Sequence, residues 1–244
     1  MKVTVLMPIL QRQAFHRNIE RMINAQTYQP SEVVFVEEQW SLDRHGDRID
    51  VPGVKYVALP EYRQATYTEK KVTGLRFCTG DLIVIMSSDD YYGPEYIERW
   101  VKFMQGTESP IARFMGHWVY NIIDRRFGFV PDISGGHSVY MRQWALENYD
   151  SNENTLNFID MPRTEDLVGH FAIIRHTPAG DMRGDGFRRT AKLVGRGHTC
   201  GTEATDHDDP DGDWLKQYIT DPAVAQFYLD HGDELRGNYP YVPV

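Results

Sequence analysis

Short apolar runs and helical stripes alternate through the first half of the chain. Residues 3–7, Val-Thr-Val-Leu-Met, closed by Pro8, predict a buried strand. Phe15, Ile19, Met22 and Ile23 follow at i, i+4, i+7 and i+8, the stripe of an amphipathic helix. Residues 32–36, Glu-Val-Val-Phe-Val, predict a second strand, residues 54–59 a third, and residues 62–78 a polar helix. Asp81 to Met86 is the strongest strand signal, and Pro94 opens a helix with Ile97, Trp100, Val101 and Met104 on one face. The order β-α-β-β-α-β-α predicts an α/β domain with a mainly parallel sheet flanked by helices.

The second half is less regular. Residues 111–120 and 125–130 predict a strand pair, and 142–149 a short helix. Residues 164–175 are expected to form a helix capped by Thr164. Pro222 to His231 is expected to form a C-terminal helix that Gly232 ends. No repeat or linker divides the 244 residues, so one domain is expected over 1–244.

Composition narrows the function classes. A net charge of −9 argues against a general nucleic-acid binder, although residues 175–198 are locally basic. Cys78 and Cys200 are the only cysteines, too few for a disulfide framework and without zinc-ligand spacing. No apolar run reaches the ~18 residues of a membrane span, and no signal-peptide pattern precedes Val3. A cytoplasmic protein is expected, with peripheral membrane docking left open.

The candidate chemistry centres on Ser87-Ser88-Asp89-Asp90, which follows the apolar run 82–86. In parallel sheets, ligands bind beyond the carboxyl ends of the strands. Adjacent carboxylates there are costly unless paired, hydrated or bound to a cation that can bridge a diphosphate. A simple turn is the alternative.

Four segments, in order, extend this reading. They are Val3-Thr-Val-Leu-Met-Pro8; Ala25-Gln-Thr-Tyr28 with Glu32-Val-Val-Phe-Val-Glu-Glu38; Gly74 with Gly80-Asp-Leu-Ile-Val-Ile-Met-Ser-Ser-Asp-Asp90; and Pro94-Glu-Tyr-Ile97. Together they resemble the inverting family 2 glycosyltransferases, which have the Rossmann-like GT-A fold. The resemblance implies a nucleotide-sugar-binding half over 1–105, an irregular acceptor and catalytic half over 106–212, and a helical tail over 213–244. It implies metal-dependent transfer from a nucleotide-diphosphate sugar, with UDP as the default nucleotide and Mn2+ or Mg2+ as the cation. Donor contacts then fall on Pro8, Ile9, Leu10, Glu37, Glu38, Lys71, Ser87, Ser88, Asp89 and Asp90. Two departures stand out: Glu37-Glu38 replaces an Asp-Asp pair, and Ser87 replaces the first acid of Asp-x-Asp. The metal therefore falls to Asp89, with Asp90 as an outer or donor-sugar contact.

The resemblance also implies a general base in Thr164-Glu165-Asp166: Asp166 takes the acceptor proton and Glu165 binds acceptor or orients the loop. Helix capping is the plainer reading of the same residues. Gly136 and His137, in Ser134-Gly-Gly-His-Ser-Val-Tyr-Met141, resemble the acceptor-side segment. His198 is the first candidate for a histidine on the metal and His207 the second. The basic stretch could close over a diphosphate or be a solvated face. Asp206 to Asp213 lacks the spacing of a calcium loop and reads as an acidic surface turn.

Two other classes stay open. A nucleotidyltransferase would carry a glycine-rich loop after the first strand, where this chain has Pro8-Ile-Leu-Gln-Arg-Gln13. A non-catalytic nucleotide- or carbohydrate-binding relative would bind donor without turnover. Glycan, lipid-linked, protein and small-molecule acceptors are all compatible with the sequence; the net charge argues against a nucleic-acid acceptor.

Overall fold

A computed structural model describes residues 1–9, 15–39, 49–51, 53–60, 65–148, 163–164, 171–175 and 207–238. The first half gives β1 (Val3–Pro8), α1 (His16–Asn24), β2 (Glu32–Glu38), β3 (Val54–Leu59), α2 (Tyr67–Leu75), β4 (Leu82–Ile85), β5 (Tyr91–Tyr92) and α3 (Tyr96–Gln105). Next come β6 (Ile111–Asn121), β7 (Arg126–Met141), α4 (Arg142–Asn148), β8 (Arg163–Thr164), β9 (Phe171–Arg175), β10 (His207–Asp208), α5 (Asp213–Tyr218) and α6 (Pro222–Asn238).

All these strands belong to one ten-stranded sheet, with the path β3-β2-β1-β4-β7-β6-β9-β5 and with β8 and β10 attached to β6 and β7. β3, β2, β1 and β4 run parallel. β7 then joins β4 antiparallel and pairs with β6 in a long hairpin. Both faces of β1, β2 and β4 are covered, which is why these strands read as largely apolar runs, whereas the edge strand β3 is only partly buried. Val3, Val5, Met7, Val33, Phe35, Leu82 and Val84 pack on the side of α1, α3 and α6. Leu6, Val34, Val36, Ile83 and Ile85 pack on the other side, with Leu75 of α2 and Ala145 of α4. The alternation follows from the two-residue period of a strand.

Helix α2 starts at a capping box: Thr66 Oγ1 accepts from Glu69 N at 3.2 Å, and Glu69 Oε2 accepts from Thr66 N at 2.7 Å. Gly74 lets α2 lie close on the sheet, since a Cβ there would sit 2.4 Å from Leu6 Cδ1 and 2.6 Å from Val36 Cγ2.

Three expectations change. Residues 171–175 are strand β9, not the end of a helix beginning at Thr164, and Arg163–Thr164 is itself a strand. The run Phe171-Ala-Ile-Ile174 inserts between β6 and β5, where tertiary pairing overrides a helical spacing. Helix α6 continues through Gly232 to Asn238. Gly232 is there for contact: a Cβ would stand 2.2 Å from the carbonyl oxygen of Ile122. Gly232→Ala is therefore expected to push α6 off the β6–β7 turn and to lower stability by about 1–3 kcal/mol, read as a shift of the urea midpoint. An unchanged midpoint would mean that α6 can slide without loss. Finally, the acidic stretch is not wholly a surface turn. Asp209 is buried, accepts from Tyr120 Oη at 3.0 Å, and takes Trp214 N at 3.0 Å and Leu215 N at 3.3 Å, so it fixes the start of α5.

The amino ends of the parallel strands are tied by Glu32. Its carboxylate accepts from Thr4 Oγ1, from Thr79 N and Oγ1, and from Lys55 Nζ. Burial alone would raise its pKa, but the hydrogen bonds from Lys55, Thr4 and Thr79 outweigh that and bring it from 4.5 to about 2. The contribution to stability is complete above pH 4.5 and is lost as the pH falls toward 2. Glu32→Gln should flatten the acid limb of a plot of urea midpoint against pH; a parallel limb would move the acid sensitivity to another carboxylate.

Candidate active site

The strand order sets the location. From β1 the chain moves outward to β2 and β3, then returns to the other flank of β1 as β4. The strand order switches between β1 and β4, and the carboxyl ends at such a switch are where open α/β sheets bind ligands. Pro8 and Ile9 close β1, Glu37 and Glu38 close β2, and Ser87, Ser88 and Asp89 follow β4. Adjacent parallel strands thus bring these sequence-predicted residues to one end of the sheet. Ile9 N donates to Val36 O at 2.9 Å and Met86 N to Leu6 O at 3.1 Å, so the ladder continues to the rim.

The loop after β4 is strongly held. Ser87 N donates to Tyr92 Oη at 2.5 Å. Tyr92 is fully enclosed, and burial together with the charge of Asp90 pushes its phenol well above the usual range, so it stays a neutral partner. Asp90 is buried, and its Oδ1 accepts from Ile174 N at 2.9 Å, which ties the acidic loop to β9. Asp89 is half-buried beside it. The Gln26-Thr27 turn clamps the far side: Gln26 Nε2 donates to Gly93 O at 2.9 Å, Gln26 Oε1 accepts from Ile97 N at 3.0 Å, and Thr27 N donates to Pro94 O at 2.8 Å.

The sequence singles out Glu38 as a donor contact but not its partner under the β1–β2 rim, Lys70. Glu38, on the α2 face of β2, is fully buried and pairs with Lys70 Nζ at 2.9 Å. Its other oxygen accepts from Ala65 N at 2.9 Å, while Lys70 Nζ also donates to Ile9 O. Lys71, the expected donor contact, is buried with its ammonium 4.6 Å from the centroid of the Tyr67 ring. Glu37 is buried on the opposite face of β2 from Glu38.

The acceptor side is described in part. Gly136 and His137 lie in β7 just before Val139, which pairs with Val84, so their backbone stands near the carboxyl end of β4. Strand β8 ends at Thr164, paired with Phe114 of β6. Glu165, Asp166, Leu10 and His198 lie outside the described residues, as does the basic stretch beyond Arg175. His207 is exposed in β10, its ring 5.2 Å from that of Phe127.

Among the described residues no group of three or more His, Cys, Asp or Glu side chains could hold a metal by itself. The donor chemistry at this end of the sheet suits a shared cation instead. Mg2+-like ions are commonly held by one or two carboxylates plus substrate phosphates, and Asp89 supplies one carboxylate at the right end of the sheet.

Residues 4–182 match the family described as Glycosyl transferase family 2. The chain belongs to this family. The match covers well over half of it, and the sheet with flanking helices and a helical C-terminal segment is the GT-A fold. A mannosyltransferase from Pyrobaculum calidifontis, in complex with GDP-Man and Mn2+, superposes with a TM-score of 0.55 at 15% identity, covering 96% of this chain and 73% of that one. Residues 1–349 of S. aureus TarS in complex with UDP-GlcNAc give a TM-score of 0.54 at 11% identity, covering 98% and 73%. Against the same TarS fragment in complex with UDP, the chain spans 71% of its own length and 60% of the neighbour's, with a TM-score of 0.49 at 13% identity. No curated protein matches. Among the described residues of this glycosyltransferase family member, no helix is long and apolar enough to cross a membrane.

Proposed function

We propose that this chain transfers a sugar from a nucleoside-diphosphate sugar to an acceptor hydroxyl with inversion at the anomeric carbon. The supporting observation is Asp89, half-buried at the β1–β4 switch, with the Pro8–Ile9 and Glu37–Glu38 rims on neighbouring strands. The base lies against the β1–β2 rim, where Glu37 contacts it and Glu38, engaged by Lys70 and Ala65, shapes the wall. Asp89 faces the diphosphate and Asp90 keeps the loop in register through Ile174. A bound Mn2+ or Mg2+ would supply charge neutralisation for the leaving diphosphate.

In the reaction itself, the acceptor oxygen attacks the anomeric carbon from the face opposite the diphosphate. The new carbon–oxygen bond forms as the bond to the diphosphate oxygen breaks, and the acceptor proton passes to Asp166. Gly136 and His137, beside the end of β4, contact the acceptor; its glycan, lipid-linked, protein or small-molecule class follows from what binds there. The proposal keeps the reaction in the cytoplasm. The chain acts as one unit, with residues 1–105 for the donor, 106–212 for acceptor and catalysis, and 213–244 as a tail.

A thermal-shift series tests the donor half. UDP, GDP, CDP, UDP-GlcNAc and GDP-Man are each added with and without Mn2+. At a hundredfold excess over Kd, one nucleotide class should raise the melting temperature by about 5–10 °C, and only with the metal. If no nucleotide shifts the transition in either condition, the donor assignment fails.

A further inference from the structure

A second cavity lies at the other end of β4. It has a volume of about 450 Å³ and is lined by the Thr79–Asp81 turn, Pro110, Met141–Trp144 and Glu147. Asp81 precedes β4 and Asp89 follows it, so this cavity and the proposed donor site lie at opposite ends of that strand. It cannot hold the sugar being transferred.

The walls are cross-linked before any ligand arrives. Arg142 N donates to Asp81 O at 2.8 Å, Met141 N to Pro110 O at 2.7 Å, and Arg142 Nε to Cys78 O at 2.6 Å. Trp144 is backed by the buried Tyr140, with ring centroids 6.0 Å apart and planes within 7°. Trp144 therefore lines the cavity with its ring packed in offset contact with Tyr140. Arg142, Gln143, Asp81 and Glu147 also line it; Gln143 Nε2 donates to Glu147 Oε1 at 3.1 Å, and Asp81 Oδ2 accepts from Lys2 N at 2.8 Å.

The lining mixes charges: two carboxylates stand beside one guanidinium, so an anion meets no net positive charge here. A neutral polyol has hydroxyl hydrogens for the carboxylates, oxygens for the guanidinium and amide, and a C–H face for the indole. The volume is that of a small-ligand site. We propose that this cleft is a secondary saccharide-binding site, with Trp144 as its platform and Arg142, Gln143, Asp81 and Glu147 as hydrogen-bonding partners. Its consequence rests on the transfer reading: a glycan held here keeps its acceptor end at a raised local concentration near the donor site.

The test is saturation-transfer NMR and calorimetry on the whole chain. The probes are neutral di- and trisaccharides of gluco, manno, galacto and N-acetylglucosamine configuration, with uridine, adenosine and inorganic phosphate as competitors. Saturable saccharide binding is expected, weakened at least about tenfold in Trp144→Ala and by about three- to tenfold in the exposed double variant Gln143→Ala/Glu147→Ala. Asp89→Ala should bind saccharide as the unaltered chain does. Should Trp144→Ala fail to fold, the double variant decides alone. Absence of saccharide binding, binding that the folded variants leave unchanged, or displacement of the saccharide by uridine, adenosine or phosphate overturns the proposal. Because donor binding is read separately by nucleotide thermal shift, loss of that signal with saccharide binding intact rejects the transfer reading and leaves the cleft standing, and the reverse result does the opposite.

Discussion

Asp89→Ala should reduce turnover of the nucleotide sugar by at least about a hundredfold while the unliganded protein melts at nearly its original temperature. The expectation follows from the different environments of the two neighbouring acids. Asp90 is buried, and its carboxylate takes the amide of Ile174 in β9. Asp89 is half-buried at the carboxyl end of β4, so its replacement opens no fully enclosed space while it removes a charge from that end of the sheet. Slow hydrolysis of the donor is the measurement, because it requires no knowledge of the acceptor. The metal-dependent thermal shift should vanish in the same variant. Asp90→Asn is the internal control: an amide oxygen can still accept from Ile174, so fold and donor shift should survive it. Full hydrolysis by Asp89→Ala would remove Asp89 from the cation and leave the donor site to other groups.

The parallel half was legible because β1, β2 and β4 are buried on both faces. Val33 to Val36 and Leu82 to Ile85 carry that burial as uninterrupted apolar runs, and Val3 to Met7 does so with only Thr4 polar; Pro8 and Glu37 follow their runs directly, and Asp89 stands four residues past Ile85. Thr66-Tyr-Thr-Glu69 is a second local signal, since Thr-x-x-Glu is a capping box on its face. The misread elements all depend on contacts distant in sequence. Gly232 looks like a helix stop, and only the carbonyl of Ile122 shows that it is a point of close packing. Phe171 to Arg175 becomes a strand because β6 and β5 offer it edges. Asp209 is chemically indistinguishable from Asp208 and Asp211 in the sequence, yet Tyr120 and the start of α5 bury it alone of the three. Lys70 and Lys71 likewise differ only in the direction each takes from α2, one to Glu38 and the other to the ring of Tyr67.

Lys70→Met is expected to be the most destabilising single substitution in the donor half, at about 3–5 kcal/mol. Both partners of the Lys70–Glu38 pair are completely shielded from water. Methionine keeps much of the stem volume but leaves the Glu38 carboxylate buried without its cation and the Ile9 carbonyl without its donor. Against a typical total stability of about 5–15 kcal/mol, that loss should move the urea midpoint far down or prevent folding. The double variant Lys70→Met/Glu38→Gln should recover most of it, because the uncompensated charge is gone and the glutamine oxygen can still accept from Ala65. If the double variant is as unstable as the single one, the lysine acts through its packed stem rather than its charge. The double variant also isolates the functional effect. With Lys70 absent, nothing from α2 holds the Ile9 carbonyl at the end of β1, the rim on which the base is proposed to rest. Nucleotide affinity should therefore fall in the double variant even where stability has returned, a separation that thermal shift and urea unfolding measure on the same protein.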